Sequence, residues 1–220
     1  MKRRTPTAVF ISGRGSNMEA LLRASQSPAY SAEIVAVMSN RPDAKGLETA
    51  RAYGIEAMSF DHRQFATREA FEQVVDGYCR DRQVEIIACA GFMRVMTEGF
   101  AARWLGRMIN IHPSLLPSYR GLDTHARALT EGVRIHGCTV HFVTGDLDAG
   151  PIIAQAAVPV FEHDTVHTLA QRVLVQEHVL YPLVLDWVAS GAVTLQSNKV
   201  SYAFPPPDEF EPLFSPSASR

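Results

Sequence analysis

The sequence predicts an α/β protein: an open, mostly parallel sheet with flanking helices, continued by an antiparallel strand pair in the C-terminal half. Three observations predict it. From Thr7 to Ala90, short apolar runs alternate with segments of helical periodicity, the order that right-handed crossovers turn into parallel strands. The first unit ends in a glycine turn, Ser12-Gly13-Arg14-Gly15-Ser16-Asn17, where a strand meets a helix start. Beyond the middle, two strand-like segments face each other across Gly150-Pro151, a turn signal that favours an antiparallel return.

The elements follow in order. Thr7 to Ile11 is the first strand, and Met18, Leu21 and Leu22 recur at helical spacing after the glycine turn. Strands near Ile34–Met38, Glu56–Phe60 and Glu85–Ala90 alternate with helices near Lys45–Tyr53 and Thr67–Arg80, which makes this half Rossmann-like. After Gly91 come a helix near Glu98–Trp104, a strand near Met108–Ile111 and a Pro-bounded loop from Pro113 to Gly121. Loops this long inside compact folds are often functional. A helix near His125–Glu131 leads to strands near Gly137–Phe142 and Ile152–Val158. A long helix from about Val166 to Ala189 carries Leu169, Val173, Val175 and Leu180, and Pro182 is expected to kink or interrupt it. No internal repeat is found. The expected organisation is one domain over 1–203, with a phosphate-binding half over about 7–105 and a catalytic half over about 106–203. A Pro/Ser-rich tail over 204–220, with Pro205-Pro206-Pro207 and Ser215-Pro216-Ser217, reads as irregular.

With 220 residues against roughly 150 per domain, the chain is one large domain or two small lobes. Hydrophobic residues at 46% and charged residues at 20% suit a buried core rather than disorder. Lys plus Arg at 21 against Asp plus Glu at 23 leave a net charge of −2, without the basic excess that binds nucleic acid or anionic membranes. Neither is expected as a partner. Cys79, Cys89 and Cys138 have no spacing for a disulfide framework or a CxxC metal site, which fits a reducing cytoplasm. The N-terminal apolar run is too short for a signal peptide and no run suits a membrane span.

Three segments carry candidate chemistry. At the glycine turn, free N–H groups and the helix dipole attract a phosphate. A dinucleotide fingerprint would need glycine where Met18 stands and an acidic residue near Ser39-Asn40-Arg41, so a single phosphate on a small molecule is expected. The plain alternative is a turn capped by Ser16 or Asn17. In Asn110-Ile111-His112-Pro113-Ser114, Asn110 and His112 share one strand face, where an amide and an imidazolium together stabilise an oxyanion. Alternatively, Asn110 ties down the following loop and His112 is a satisfied core group. In Gly145-Asp146-Leu147-Asp148-Ala149-Gly150-Pro151, a carboxylate beside His112 would favour its protonated form, although Asp beside Gly is also ordinary turn chemistry.

His163 and His167 stand four apart, as zinc ligands on a helix do, but a zincin needs Glu where Asp164 stands, and Asp164 is expected to cap the helix. No metal is expected. His125, His136, His141 and His178 have no ligand spacing, which predicts core or surface roles. Glu177 by default faces solvent.

The blocks Ile11–Asn17, Ala90-Gly91-Phe92-Met93-Arg94-Val95-Met96, Asn110–Pro117, Gly137-Cys138-Thr139-Val140-His141-Phe142-Val143 and Leu147–Pro151 together resemble the phosphoribosylglycinamide formyltransferase family, folate-dependent enzymes of purine biosynthesis. The likeness runs from about Ala8 to Gly191. It implies transfer of the formyl group of 10-formyltetrahydrofolate to the amine of glycinamide ribonucleotide, with no metal. By matching positions, the resemblance makes Asn110, His112 and Asp148 catalytic, gives the ribonucleotide phosphate to Gly15, Ser16 and Asn17, and gives the amine region to Glu177. It assigns the folate to Arg68, Met93, Arg94, Val95 and Met96, to Asn110, and to Thr144, Gly145, Asp146, Leu147 and Asp148. The loop Tyr119-Arg120-Gly121-Leu122-Asp123 and the chain after Ser201 depart from the family pattern. Both substrates are small molecules, and the chain is expected to be a cytoplasmic monomer or homodimer. A formyltetrahydrofolate hydrolase is the alternative; it typically adds an N-terminal regulatory domain, for which the strand beginning at Thr7 is expected to leave no room. Methionyl-tRNA formyltransferase shares the core but typically adds a tRNA-contacting domain, against which the net charge and short tail argue.

Overall fold

A computed structural model describes residues 3–205 and residue 215. Of the tail, Pro206, Pro207, Pro216 and Ser217 lie outside the described residues. Five strands run parallel: β1 (Thr5–Ile11), β2 (Ala32–Ser39), β3 (Glu56–Ser59), β4 (Ile86–Cys89) and β5 (Met108–His112). Then β6 (Ile135–Phe142) and β7 (Ile152–Pro159) add antiparallel, giving the order β3-β2-β1-β4-β5-β6-β7. The sheet grows from β1 toward β3 and then restarts on the other side of β1 with β4. This reversal sends the chain after β1 to a helix on one face of the sheet and the chain after β4 to a helix on the other, and such a switch point at the carboxyl ends is where open α/β sheets hold ligands.

Burial follows from alternation along the strands. On β1, Val9 and Ile11 enter one core while Ala8 and Phe10 enter the other, because successive side chains point to opposite faces. The first core packs beneath α1 (Ser16–Ser25) and α6 (Val166–Ser190) through Met18, Leu21, Leu22, Leu169, Val173, Val184 and Leu185. The second packs beneath α3 (Arg68–Asp81) and α4 (Glu98–Arg103) through Phe71, Val75 and Phe100. Each such fully buried side chain contributes about 1.5–3 kcal/mol relative to exposure. Two short helices, α2 (Gly46–Ala52) and α5 (Thr124–Thr130), complete the connections. Among the described residues no helix is long and apolar enough to cross a membrane.

Several expectations need correction. Pro182 does not interrupt α6, which runs unbroken to Ser190. The proline removes one N–H from the ladder, but the turns around it bury Leu180, Tyr181, Val184 and Leu185, and the Tyr181 hydroxyl donates to the Cys89 carbonyl at 2.8 Å. Asp164 is not the helix cap. Thr165 is, in a reciprocal box with Thr168, while Asp164 pairs with Arg172 at 2.7 Å, which holds its carboxyl well below the usual range. A second sheet, β8 (Val193–Gln196) with β9 (Lys199–Tyr202), follows α6 where no strand was expected. Tyr202 from β9 donates its hydroxyl to the Ile153 carbonyl on β7 at 2.6 Å.

Candidate active site

The glycine turn is built from backbone. Gly15 is the N-cap of α1 in a left-handed conformation (φ 76°), and no side chain caps the helix. A Cβ at Gly15 would meet Met18 Cε at 3.1 Å and Gly46 Cα at 3.3 Å, so both conformation and space select glycine. The plain reading in which Ser16 or Asn17 caps the turn is therefore overturned, and the free first-turn N–H groups of α1 remain available to an anion. Asn17 instead donates from Nδ2 to Glu177 Oε2 at 2.7 Å, leaving its Oδ1 buried without a partner. Glu177 is not on a solvated face either. It is 6% exposed, because α6 turns this face onto α1, and burial pushes its carboxyl up, against the Asn17 hydrogen bond that lowers it.

At the end of β5, the predicted residues converge. His112 Nδ1 lies 3.3 Å from Asp148 Oδ2, and His112 Nε2 donates to the Tyr119 carbonyl at 2.9 Å. Both ring nitrogens face acceptors, and only the imidazolium has a proton for each. Asp148 has a left-handed backbone (φ 47°), a conformation that aspartate tolerates better than most residues. Its Oδ2 also accepts the Gly121 N–H at 3.0 Å, so the loop after β5 closes over the pair. That loop is fixed from beneath by Thr139 on β6: its hydroxyl donates to the Ser114 carbonyl at 2.7 Å and accepts the Leu116 N–H at 3.0 Å. The proposed tie of the loop by Asn110 is not what holds it.

Asn110 faces the same carboxylate through a residue that sequence reasoning missed. His141 Nδ1 donates to the Phe142 carbonyl at 2.9 Å, so Nε2 carries the lone pair and accepts from Asn110 Nδ2 at 3.2 Å. Burial lowers the His141 pKa, against the Phe142 carbonyl and Asp148 that raise it, and so favours the neutral ring. Its Nε2 stands 3.8 Å from Asp148 Oδ1. One Asn110 N–H is thus engaged, and Asn110 itself lines the cleft.

The cleft is lined by Arg94, Val95 and Met96, by Asn110 and His141, and by residues 144–148. It therefore gathers most residues that the resemblance assigned to the folate. Met93 points outward at 67% exposure, and Arg68 opens α3 as an exposed residue outside the lining. His163 precedes α6 altogether, so it and His167 lack the helical stacking of a zinc pair. His125 and His136 form a separate pair, 3.2 Å between nitrogens. All three cysteines are buried, and desolvation pushes the Cys79 and Cys138 thiols up to about 12 and Cys89 higher still, so none is a thiolate nucleophile.

A buried imidazole paired with a carboxylate, beside an amide that lines the cleft, is a set of groups able to stabilise an oxyanion and handle a proton. Over residues 6–185 the chain matches the formyl transferase family, and it belongs to that family. Within it, the phosphoribosylglycinamide formyltransferase of Escherichia coli is 45% identical over 195 residues, covering 86% of this chain and 90% of that protein. The trifunctional purine biosynthetic protein adenosine-3 of Gallus gallus is 47% identical over 89% of this chain, which spans 20% of that longer protein. The solved phosphoribosylglycinamide formyltransferase of Coxiella burnetii, in complex with CHES, superposes with a TM-score of 0.87 at 44% identity, covering 91% of this chain and 94% of that one.

Proposed function

We propose that the chain transfers the formyl group of 10-formyltetrahydrofolate to the amine of glycinamide ribonucleotide, in purine biosynthesis. The observation that carries this reading is the meeting of Asn110, His112 and Asp148 at one end of a cleft whose sheet also carries the glycine turn. The turn at Gly15, Ser16 and Asn17 takes the ribonucleotide phosphate on backbone N–H groups, and Glu177, reached through Asn17, meets the amine region. The folate lies along Met93 to Met96 and Thr144 to Asp148, with Arg68 toward its carboxylate tail.

The neutral amine attacks the formyl carbon, forming a C–N bond and leaving negative charge on the formyl oxygen. The Asn110 amide and the His112 imidazolium stabilise that charge. In this structure His112 Nε2 donates to the Tyr119 carbonyl, and an oxyanion, as a charged acceptor, draws the proton donor over. The bond from carbon to the folate N10 then breaks, and the proton lost by the attacking amine passes to N10 through a water held by Asp148. Products are the formylamide and tetrahydrofolate, so atoms and charge balance with no other reactant.

The test follows formyl-folate conversion by absorbance with and without glycinamide ribonucleotide, and again with His112→Ala. Conversion that requires the ribonucleotide and is largely lost in the variant supports the reading. Equal turnover without the amine indicates hydrolysis instead, and no turnover in either case sinks the enzymatic reading.

A further inference from the structure

Ser12 lies between the two substrate regions and takes no part in the steps above. It follows β1 directly and opens the glycine turn, and it is 4% exposed. Its backbone N–H donates to the Gly91 carbonyl at 3.1 Å. Its hydroxyl donates to Asn40 Oδ1 at 2.5 Å and accepts the Met93 N–H at 2.7 Å. Asn40, itself buried, is held by His62, whose Nδ1 lies 2.9 Å from the Asn40 carbonyl and 3.2 Å from Nδ2. The hydroxyl therefore has a fixed direction, because its one proton is committed to Asn40 and a lone pair is left for Met93.

Met93 begins the strap of residues 93–96 that borders the cleft. The far end of the strap is tied by a different side chain, the buried Glu72 on α3, which accepts from the Thr97 N–H at 2.7 Å and from the Thr97 hydroxyl. The two ends differ in what lies behind them. Glu72 belongs to α3 and has no link to the glycine turn, whereas Ser12 is the turn's first residue. This adjacency follows from topology: β1 and β4 are neighbours in the sheet, so the loops that leave them side by side must share a boundary.

We propose that Ser12 is a positioning residue that couples the two substrate subsites, so that a phosphate ordering the glycine turn also orders the folate strap through the Ser12 hydroxyl and the Met93 N–H. Coupling of this kind is reciprocal: each ligand tightens the other by the same factor. The inference rests on the proposed function, since it assigns the phosphate to the turn and the folate to the strap.

Tetrahydrofolate lacks the formyl group and cannot react with glycinamide ribonucleotide, so both can be bound at equilibrium. Titrating tetrahydrofolate into the full chain with and without saturating ribonucleotide is expected to show affinity raised about tenfold by the ribonucleotide, within the usual range of such couplings. In Ser12→Ala that ratio falls to near one. In Glu72→Gln tetrahydrofolate binds more weakly in both conditions while the ratio persists, which separates coupling from mere disturbance of the strap. A wild-type ratio of one, or a full ratio in Ser12→Ala, overturns the proposal. Should Ser12→Ala not fold, hydrogen exchange on the wild-type chain decides: ribonucleotide alone slows amide exchange in residues 92–97, and unchanged exchange overturns the coupling. Failure of the wild-type chain to bind either ligand sinks the proposed function itself, an outcome distinct from two ligands that bind independently.

Discussion

At the glycine turn the molecule presents backbone to its ligand, with Gly15 left-handed and no side-chain cap on α1. At Asp148 it presents side chains, and each depends on another: His112 on Tyr119 and Asp148, Asn110 on His141, and Asp148 on Gly121. The difference teaches where each end is vulnerable. A site of N–H groups tolerates changes of side chain but not an added Cβ, whereas a site of buried, mutually satisfied polar groups tolerates shape changes poorly and charge changes worse.

The largest effect belongs to the side-chain end. His112→Ala is expected to lower kcat by about 10²–10³-fold, the usual cost of losing one oxyanion donor, while circular dichroism shows the fold retained. Asp148→Asn, which keeps the left-handed backbone accessible, is expected to change the pH–rate profile as well as its amplitude. A profile identical to wild type in shape and height would break the His112–Asp148 pairing.

Next in size is stability below neutrality. His136 packs edge to face against the rings of both Tyr119 and His125. Burial, and the neighbouring imidazoles including His112, lower both, His136 to about 4. The folded chain therefore binds fewer protons than the unfolded one, whose histidines titrate near 6.5. This stability is complete above about pH 6.5 and is lost as pH falls toward 4, by roughly 2 kcal/mol. Urea unfolding at pH 7.5 and 5 measures it, and His136→Gln is expected to flatten the slope; an unchanged slope in that variant would assign the acid sensitivity to other groups.

A smaller effect is expected at the backbone end. Gly15→Ala forces a side chain into a left-handed conformation at about 1–2 kcal/mol, and should raise KM for glycinamide ribonucleotide roughly tenfold with kcat nearly intact. A kcat loss equal to the KM gain would mean that the two ends are not built independently. The smallest is Arg68→Ala. An exposed charge contributes about 0–1 kcal/mol, so KM for the folate should rise about fivefold or less, and a rise well beyond about tenfold would place Arg68 closer to the ligand than its exposed position on α3 suggests.

The alternation of strands and helices, the glycine turn, and the Asn110, His112 and Asp148 segments were legible in the sequence because each is a local pattern. His141 was not. Its contact with Asn110 arises from the β5–β6 register, in which the two residues are opposite one another, and the separate placement of two strands does not fix their register. Glu177 was misread for a related reason, since its burial depends on how α6 meets α1 rather than on its own helix. The hairpin of β8 and β9 did carry a local signal: Ser197 and Asn198 both have positive φ, and a two-residue turn ending in Asn suits a tight hairpin. The strands beside it are only four residues each, too short for alternation to stand out.

The Tyr202 hydroxyl on the Ile153 carbonyl has a consequence for the whole chain in solution. β7 is the last strand of the large sheet, and an uncovered rim of that kind recruits foreign strands and seeds aggregation. By donating to a carbonyl of β7, Tyr202 occupies one acceptor of this last strand and leaves an incoming strand one backbone group fewer to pair with.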